Sequence, residues 1–213
     1  MFKNKHGIQI TSQRIGKLEK ELIKFNLDLP KSALGLDLGG GNGYISILLS
    51  LIQKEIYFYD LKVDFKLKIF KKLFASKKLH LVKKDLKEIE KFSFPKNIDF
   101  VYSARFLHYL TYEEAEILLR KISANLKKDG KIFFTLTGLN SDIGKKYPCA
   151  SKKIEERYCL LEKTWQKRFE IKEKVTLYTK KEIEELFQKY FEIEEIWESD
   201  FKNIFVIAKK LNK

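Results

Sequence analysis

Short apolar segments alternate with longer amphipathic segments between residues 33 and 137. The apolar segments lie at residues 33–38, 56–60, 79–85, 97–103 and 131–137, and each has the length of a buried strand. Between them, residues 43–54, residues 63–75 and a segment that follows Thr111 have helical periodicity. Repeated strand–helix units of this length predict a parallel sheet with helices on both faces. We therefore expect a doubly wound α/β fold.

The ends of several predicted helices carry recognisable signals. Thr111 is followed three residues later by Glu114, and Thr179 by Glu182, which is the spacing of a capping box. After Thr111, apolar residues recur at helical spacing, at Ala115, Leu118, Leu119, Ile122 and Leu126. The following LKKDG predicts that this helix ends with Gly130 at its cap position. A further helix is expected over residues 11–25.

The alternation stops at Gly138 and resumes only at Thr179. The intervening aromatic residues either line a lid or fix the insertion to the sheet, and they are Tyr147, Tyr158, Trp165 and Tyr178. Two strand-like segments, 191–197 and 203–209, lie close enough in sequence to form an antiparallel hairpin. We expect one domain over residues 1–213. Its parts are an N-terminal helical cap (1–32), a ligand-binding core (33–137), a covering insertion (138–178) and a closing helix with hairpin (179–213).

Cysteine and histidine are rare in this chain. Cys149 and Cys159 have no ligand-like spacing, and the histidines are scattered at His6, His80 and His108. This pattern disfavours a disulfide framework and a structural zinc site, and we expect no metal. The longest apolar run, residues 44–52, is too short to span a bilayer, and the N-terminus lacks the apolar core of a signal peptide. We expect a cytoplasmic protein with no membrane partner.

The formal net charge of +14 raises the question of a nucleic-acid partner, because a basic surface attracts phosphate. Only five of the 43 basic residues are arginine, the side chain suited to planar, bidentate recognition. Many lysines are interleaved with glutamates, as in KKEIEEL, which is typical of solvated faces. Nucleic acid therefore stays open as a partner but is not favoured.

Glycines are concentrated in the stretch GLDLGGGNGY, directly after the first predicted strand. In a doubly wound sheet, ligands bind beyond the carboxyl ends of the strands, and glycine lets a ligand approach the main chain closely. The spacing Asp37-x-Gly39-x-Gly41-x-Gly43 differs from the G-x-G-x-x-G of dinucleotide sites, because Tyr44 occupies the last small-residue position. No lysine followed by serine or threonine succeeds the loop, which excludes a P-loop.

Two further acids stand at the ends of neighbouring predicted strands. Asp60 ends the second strand, where a carboxylate accepts hydrogen bonds from both ribose hydroxyls, although it could instead cap the next helix in competition with Asp64. Asp85 ends the third strand, where it would accept from an adenine amine or serve as an ordinary turn residue. Asp37 would organise the glycine loop or meet an ammonium group. Three acids without a basic phosphate clamp favour a positively charged nucleoside such as S-adenosylmethionine.

The motifs taken in order resemble those of the class I S-adenosylmethionine-dependent methyltransferases. The segments that carry the resemblance are LDLGGGNG, IYFYD, VKKD, NIDFVYSARFLHYL and LKKDGKIFFTL, within residues 33–136. The family implies a Rossmann-like, mostly parallel sheet of seven strands with the last strand antiparallel. It also implies S-adenosylmethionine as methyl donor and S-adenosylhomocysteine as product. The implied cofactor contacts are Asp37, Gly39, Gly41, Asn42, Gly43, Asp60, Asp85, Leu86 and Ser103.

The segment RFLHYL, followed by a capped helix and LKKDG, resembles the branches that act on small molecules. If the fold is right, Arg105 and His108 would stand beside the transferred methyl group. Arg105 would orient an anionic group, and His108 would act as a base only for an acceptor that must lose a proton. Three alternatives stay open: an RNA or protein methyltransferase, a catalytically inactive nucleoside-binding module and, less favoured, a nicotinamide oxidoreductase. Neither the acceptor nor the oligomeric state is readable from the sequence.

Overall fold

The computed structural model describes residues 15–52, 54–74 and 77–211, and its centre is a seven-stranded sheet. The strands are β1 (Leu34–Leu38), β2 (Glu55–Asp60), β3 (Leu79–Lys83), β4 (Ile98–Ala104), β5 (Leu126–Thr137), β8 (Phe191–Glu198) and β9 (Asn203–Lys210). Their order across the sheet is β3-β2-β1-β4-β5-β9-β8. The first five pair in parallel, and β9 pairs antiparallel with both β5 and β8. The expected doubly wound, mostly parallel sheet with its last strand antiparallel is confirmed.

Helices cover both faces of the sheet. They are α1 (Lys17–Asp28), α2 (Tyr44–Leu51), α3 (Phe65–Leu73), α4 (Tyr112–Asn125), α5 (Lys163–Phe169) and α6 (Lys180–Gln188). The first three bury Leu18, Leu49 and Leu67 in one apolar cluster with β2 and β4. On the other face α4 and α6 bury Leu118 and Phe187 in a second cluster. The two clusters enclose the sheet and hold its strand ends in fixed positions.

Both predicted capping boxes are present. The Glu114 backbone N–H donates to Thr111 Oγ1 over 3.1 Å, and the Thr111 N–H donates to the Glu114 carboxylate over 2.8 Å. Thr179 and Glu182 make the same two contacts, at 3.2 and 2.7 Å. Each box satisfies N–H groups that have no partner within the helix, and so it fixes where α4 and α6 begin.

Some predicted boundaries are wrong. Gly130 does not cap α4, because the helix ends at Asn125 with Leu126 as its cap and residues 126–130 already belong to β5. The helix predicted over residues 43–54 is α2, which ends at Leu51 and is therefore three residues shorter at its end than predicted. The expected first helix runs over Lys17–Asp28, and the earlier part of its predicted range lies outside the described residues.

The insertion between Gly138 and Tyr178 forms a small unit with its own apolar core. It contains α5 and a two-stranded sheet of β6 (Tyr158–Cys159) and β7 (Val175–Thr176). Its core includes Tyr147, Cys149, Leu161 and Leu177. Because Tyr147 Oη donates to the Val175 carbonyl over 2.6 Å and Tyr178 is fully buried, these two aromatic residues fix the insertion to itself and to the sheet.

The sequence disfavoured a disulfide framework and thereby favoured a reducing compartment, but the structure contains a disulfide. Cys149 and Cys159 form a disulfide with their Cα atoms 6.5 Å apart. The pairing links the loop that precedes β6 to β6 itself, and only the folded insertion brings the two residues together. The scarcity of cysteine therefore gives no support for a reducing compartment.

Residues 15–52, 54–74 and 77–211 contain no helix that is long and apolar enough to cross a membrane. Within the same ranges, no three side chains of His, Cys, Asp and Glu are grouped so as to hold a metal ion.

Candidate functional site

The glycine loop lies at the carboxyl end of β1 and turns sharply into α2. Gly39, Gly41 and Gly43 all have left-handed backbones, with φ angles of 66°, 57° and 71°. The Gly39 N–H donates to the Tyr59 carbonyl over 2.8 Å, which ties the loop to β2. A Cβ atom on Gly39 would lie 2.5 Å from the Cβ of Phe106, so a side chain is excluded at that position. The loop thus presents its main chain at the edge of the sheet.

Asp37 is buried beneath this loop. Ser46, in the first turn of α2, donates from its Oγ to Asp37 Oδ2 over 2.6 Å. The other oxygen, Oδ1, has no hydrogen-bond partner in the part of the chain that the structure describes. Burial raises the pKa of Asp37 from 3.8 to about 7, the Ser46 hydrogen bond opposes this rise, and the charge of Asp60 adds to it. The site therefore holds a buried carboxyl group whose charged form is disfavoured.

Asp60 ends β2 and faces the glycine loop. Its Oδ2 accepts from the Gly41 N–H and its Oδ1 from the Lys62 N–H, both over 2.9 Å. The helix α3 is capped by Asp64 instead, whose carboxylate accepts from the Lys66 N–H over 2.7 Å. Asp60 is therefore not the cap of α3, and its partly exposed carboxylate braces the loop.

Asp85 follows β3 and begins a short 3-10 helix, Leu86–Lys91. Its carboxylate accepts from the Lys87 N–H over 3.0 Å, which is the turn-forming contact that the sequence left open. Asp85 is only partly buried, so its carboxylate also reaches the surface. The Leu86 side chain packs into the main core.

Two other predicted contact residues serve the framework. Ser103 is fully buried and donates from its Oγ to the Leu38 carbonyl over 3.0 Å, joining the carboxyl ends of β1 and β4. Asn42, at the outer part of the loop, accepts from the Tyr44 N–H at its Oδ1 over 3.1 Å. Both side chains shape the loop between β1 and α2.

Arg105 directly follows β4 in a left-handed conformation with φ of 53°. The strained backbone is held by a hydrogen bond of 2.6 Å from its N–H to the Thr135 carbonyl. Burial lowers the pKa of its guanidinium, and the neighbouring Tyr109 and Tyr102 oppose that change. Among the described residues, no carboxylate forms an ion pair with Arg105, so a partly buried cation is left for a ligand.

His108 lies three residues further on and is buried. Its Nδ1 has no hydrogen-bond partner among residues 15–52, 54–74 and 77–211. Burial, together with the positive charge of Arg105, lowers its pKa to about 3. The imidazole is therefore neutral at physiological pH and is a weak proton acceptor.

The structure also places near the site residues that the motifs did not single out. Tyr102, beside Asp37 in the β1–β4 register, donates from its Oη to Glu19 of α1 over 2.9 Å. Lys87 donates from its Nζ to Tyr158 Oη over 3.1 Å, and Tyr158 Oη in turn lies 3.4 Å from the Tyr109 carbonyl. These contacts join α1 and the insertion to the strand ends. No local sequence pattern marks them, because their partners are far apart along the chain.

Comparisons with known proteins agree with this architecture. The sequence profile of a family described as a methyltransferase domain matches residues 10–195. The structure superposes on the PH0226 protein of Pyrococcus horikoshii with a TM-score of 0.72 and 22% identity over 96% of this chain and 92% of that one. A TehB-like SAM-dependent methyltransferase from Corynebacterium glutamicum superposes with a TM-score of 0.60 and 18% identity, over 95% of this chain and 92% of that one.

A third similar structure was solved with ligands. It is the 1,6-didemethyltoxoflavin-N1-methyltransferase of Burkholderia thailandensis with 1,6-didemethyltoxoflavin and S-adenosylhomocysteine, and it gives a TM-score of 0.66 and 14% identity over 92% of this chain and 78% of that one. A search of curated protein sequences finds no significant match to this chain. These likenesses support the fold, and the family profile covers most of the chain. The chain belongs to the methyltransferase-domain family, as its class I motifs indicated.

Proposed function

We propose that this protein transfers a methyl group from S-adenosylmethionine to a small organic acceptor and releases S-adenosylhomocysteine. The observation that carries the proposal is the position of three carboxylates at the ends of adjacent parallel strands. Asp37 lies in β1, Asp60 ends β2, and Asp85 comes two residues after the end of β3, all at the edge where the glycine loop exposes its main chain. A cationic adenosine derivative matches this distribution of charge.

Asp37 Oδ1, which lacks a hydrogen-bond partner in the described ranges, is the best test of fit for such a ligand. A buried carboxyl group with a raised pKa is poorly matched to a phosphate but is stabilised by an ammonium or sulfonium cation. Asp60 would accept from the ribose hydroxyls and Asp85 from the adenine amine. The bound cofactor would contact the main chain of Gly39, Gly41, Asn42, Gly43 and Leu86. Ser103 would hold together β1 and β4, at whose ends the cofactor would lie.

The sulfonium of the bound donor supplies an activated methyl group. The protein then has to hold the acceptor close and in line, which can account for much of the acceleration. Arg105 would orient an anionic group of the acceptor, because its guanidinium is charged, partly buried and without an ion pair among the described residues. His108 is better suited to accept a hydrogen bond than to remove a proton, since its pKa of about 3 is far below the working pH.

A small acceptor is favoured by how the insertion meets the segment that carries Arg105 and His108. Thr176 of β7 donates from its Oγ1 to the Leu110 carbonyl over 2.8 Å, and Tyr158 of β6 approaches the Tyr109 carbonyl. An insertion clamped in this way would act as a lid that excludes water and limits the size of the acceptor. We therefore propose that residues 1–213 act as one functional domain, in which residues 138–178 cover the acceptor. The Burkholderia relative, which binds a small heterocycle, supports the same choice.

Isothermal titration with S-adenosylmethionine, S-adenosylhomocysteine and NAD tests the proposal. We expect both adenosyl ligands to bind and NAD not to bind. Binding of NAD alone would support an oxidoreductase and overturn the proposal. Methyl transfer from a radiolabelled donor to a panel of small acceptors, RNA and peptides then distinguishes the alternatives. Transfer to RNA or peptide alone would refute the small acceptor, and binding without any transfer would indicate a nucleoside-binding module.

A further inference from the structure

The outer face of α3 carries a row of exposed apolar side chains. Phe65, Ile69 and Leu73 are spaced four residues apart and therefore follow one line along the helix. Their exposed fractions are 72%, 38% and 72%. On the opposite side of the helix Leu67 is fully buried, so α3 packs on the core through that side and the outer row does not contribute to the core. A continuous exposed apolar row is uncommon on a water-facing helix and indicates a contact surface.

Lysines surround this row, and the nearest acids along the chain are Asp64 next to it and Asp60 and Asp85 at the borders of the lysine-rich segment. Between Leu61 and Lys84 the sequence contains nine lysines and a single acid, Asp64, which is engaged in capping α3. The lysines with exposed side chains are Lys62, Lys66, Lys68, Lys72, Lys77, Lys83 and Lys84. In the ranges that the structure describes, none of these seven forms an ion pair. This face therefore differs from KKEIEEL and similar segments, in which glutamates accompany the lysines.

A surface cleft opens beside the row, between the start of α3 and β3. It has a volume of about 440 Å³ and is lined by Lys62, Val63, Lys68, Leu81 and Lys83. Three ammonium groups around one cleft repel one another unless an anion lies among them. Two apolar side chains in the same cleft suit an anion that is attached to a hydrocarbon group.

We propose that the α3 face, defined as Phe65, Ile69 and Leu73 with the lysines and the cleft beside them, binds an anionic phospholipid membrane surface. The apolar row enters the interface between headgroups and acyl chains, and the lysines contact the headgroup phosphates. This contact is peripheral, because the helix lies on the membrane and does not cross it. The proposal is independent of methyl transfer, since it uses none of the residues assigned to the cofactor or the acceptor.

The same observations disfavour the two other partners for this face. A second copy packed through the same face would place lysines against lysines, since a two-fold interface uses one patch twice. A nucleic acid would use arginine planes or aromatic rings for its bases. The α3 face has no arginine between residues 61 and 84, and two of its three apolar side chains, Ile69 and Leu73, are aliphatic.

Vesicle flotation of the full chain tests the proposal. The probes are vesicles of phosphatidylcholine alone and vesicles of phosphatidylcholine mixed with phosphatidylglycerol. An apolar variant carries Phe65→Gln and Leu73→Gln. A basic variant carries Lys68→Gln, Lys72→Gln and Lys83→Gln, and a charge-matched control carries Lys128→Gln, Lys152→Gln and Lys180→Gln at exposed positions elsewhere. Thermal unfolding of each variant verifies that it is folded.

We expect the unaltered protein to float with the anionic vesicles only, and less so as salt is added. The basic variant should bind about a hundredfold more weakly. The apolar variant should lose most of the binding, and the control should retain it.

Four outcomes would overturn the proposal. The first is failure of the unaltered protein to float, and the second is equal loss in the control. The third is full binding by the apolar variant. The fourth is that the protein does not bind vesicles but binds a homopolymeric RNA tightly, or dimerises, and that the α3-face variants abolish this binding or dimerisation.

Discussion

Ser46 donates a hydrogen bond of 2.6 Å from its Oγ to Asp37 Oδ2 inside the protein, where Asp37 Oδ1 has no partner among the described residues. The hydrogen bond lowers the pKa of Asp37, but burial raises it more, and the outcome is about 7. Protein interiors disfavour an ionised carboxylate unless its charge is compensated. The pair thus leaves a carboxyl group whose negative charge is not compensated by any side chain of residues 15–52, 54–74 and 77–211.

The raised pKa of Asp37 gives a prediction for stability against pH. Folding raises the pKa from 3.8 to about 7, so the folded state holds this proton more tightly than the unfolded chain. The resulting stabilisation is complete below pH 3.8 and is lost as the pH rises to about 7. A change of this size corresponds to about 4 kcal/mol. In denaturant titrations without ligand, Asp37→Asn should gain stability relative to the unaltered protein by about that amount between pH 4 and pH 8.

Ser46→Ala is the matched control for this titration. Removal of the hydrogen bond that lowers the pKa of Asp37 should move the loss of stability to higher pH. If the difference between Asp37→Asn and the unaltered protein were the same at both pH values, the carboxyl group would titrate normally and our description of its surroundings would be wrong.

Asp60 and Asp64 offer a comparison between two neighbouring acids. Asp60→Ala should weaken S-adenosylhomocysteine binding by about tenfold or more in calorimetry, because two ribose hydroxyls would lose a charged acceptor. Asp64→Ala should leave that affinity unchanged and lower the free energy of unfolding by about 1 kcal/mol through the loss of the α3 cap. Unchanged affinity in Asp60→Ala would remove Asp60 from the cofactor site.

Arg105 can be tested with a ligand that lacks the amino-acid group. We expect Arg105→Gln to bind S-adenosylhomocysteine and 5′-methylthioadenosine as the unaltered protein does, and to turn over anionic acceptors more slowly, with partial recovery in Arg105→Lys. The reason is that the guanidinium has no ion pair among the described residues and is assigned to the acceptor. A loss of affinity for S-adenosylhomocysteine alone would reassign Arg105 to the cofactor carboxylate.

Tyr158 links the insertion to the site through its hydroxyl group. Tyr158→Phe removes the contacts with Lys87 Nζ and the Tyr109 carbonyl but keeps the ring. Hydrogen exchange measured by mass spectrometry should become faster across residues 158–176. Tyr57→Phe, a partly buried strand residue that stacks on His80, should leave exchange there unchanged. Equal exchange in Tyr158→Phe and the unaltered protein would show that the hydroxyl does not hold the insertion.

The disulfide gives a prediction that uses thiol chemistry. Protein unfolded without reductant should show no thiols reactive toward maleimide, and two after reduction. Because a short loop is closed, reduction should lower the free energy of unfolding by about 2–3 kcal/mol. The Cys149→Ser, Cys159→Ser double variant should be insensitive to reductant. Two reactive thiols before reduction would show that the pair is not bonded.

The parts of the fold that could be predicted depend on short-range interactions. The capping boxes at Thr111 and Thr179 form within three residues, so their sequence determines them locally. The prediction that Gly130 ends α4 was wrong because residues 126–131 pair with β4, and this pairing overrides the preference of LKKDG for a helix end. The cysteine pair could not be predicted, since the hydrogen bonds of Tyr147 to the Arg157 and Val175 carbonyls, which hold the segment around Cys149 near Cys159, form only in the folded insertion.

The candidate site shows the same division. The three acids could be placed at the strand ends from the strand–helix alternation, because parallel strands end at one edge of a sheet. Which of Asp60 and Asp64 caps α3 could not be decided, since both precede the helix within five residues. The clamp of Tyr158 on Lys87 and the contact of Glu19 with Tyr102 required the folded structure, because each joins segments with no common sequence pattern.

The position of β9 between β5 and β8 has a consequence for how the protein is made. β8 precedes β9 along the chain, yet among the described residues β9 is its sole strand partner, and the outer edge of β5 also pairs with β9. During synthesis, β8 thus leaves the ribosome before the strand that joins it to the sheet. Until residues 203–210 pair with it, β5 presents an open strand edge, which makes the incompletely folded chain prone to aggregation.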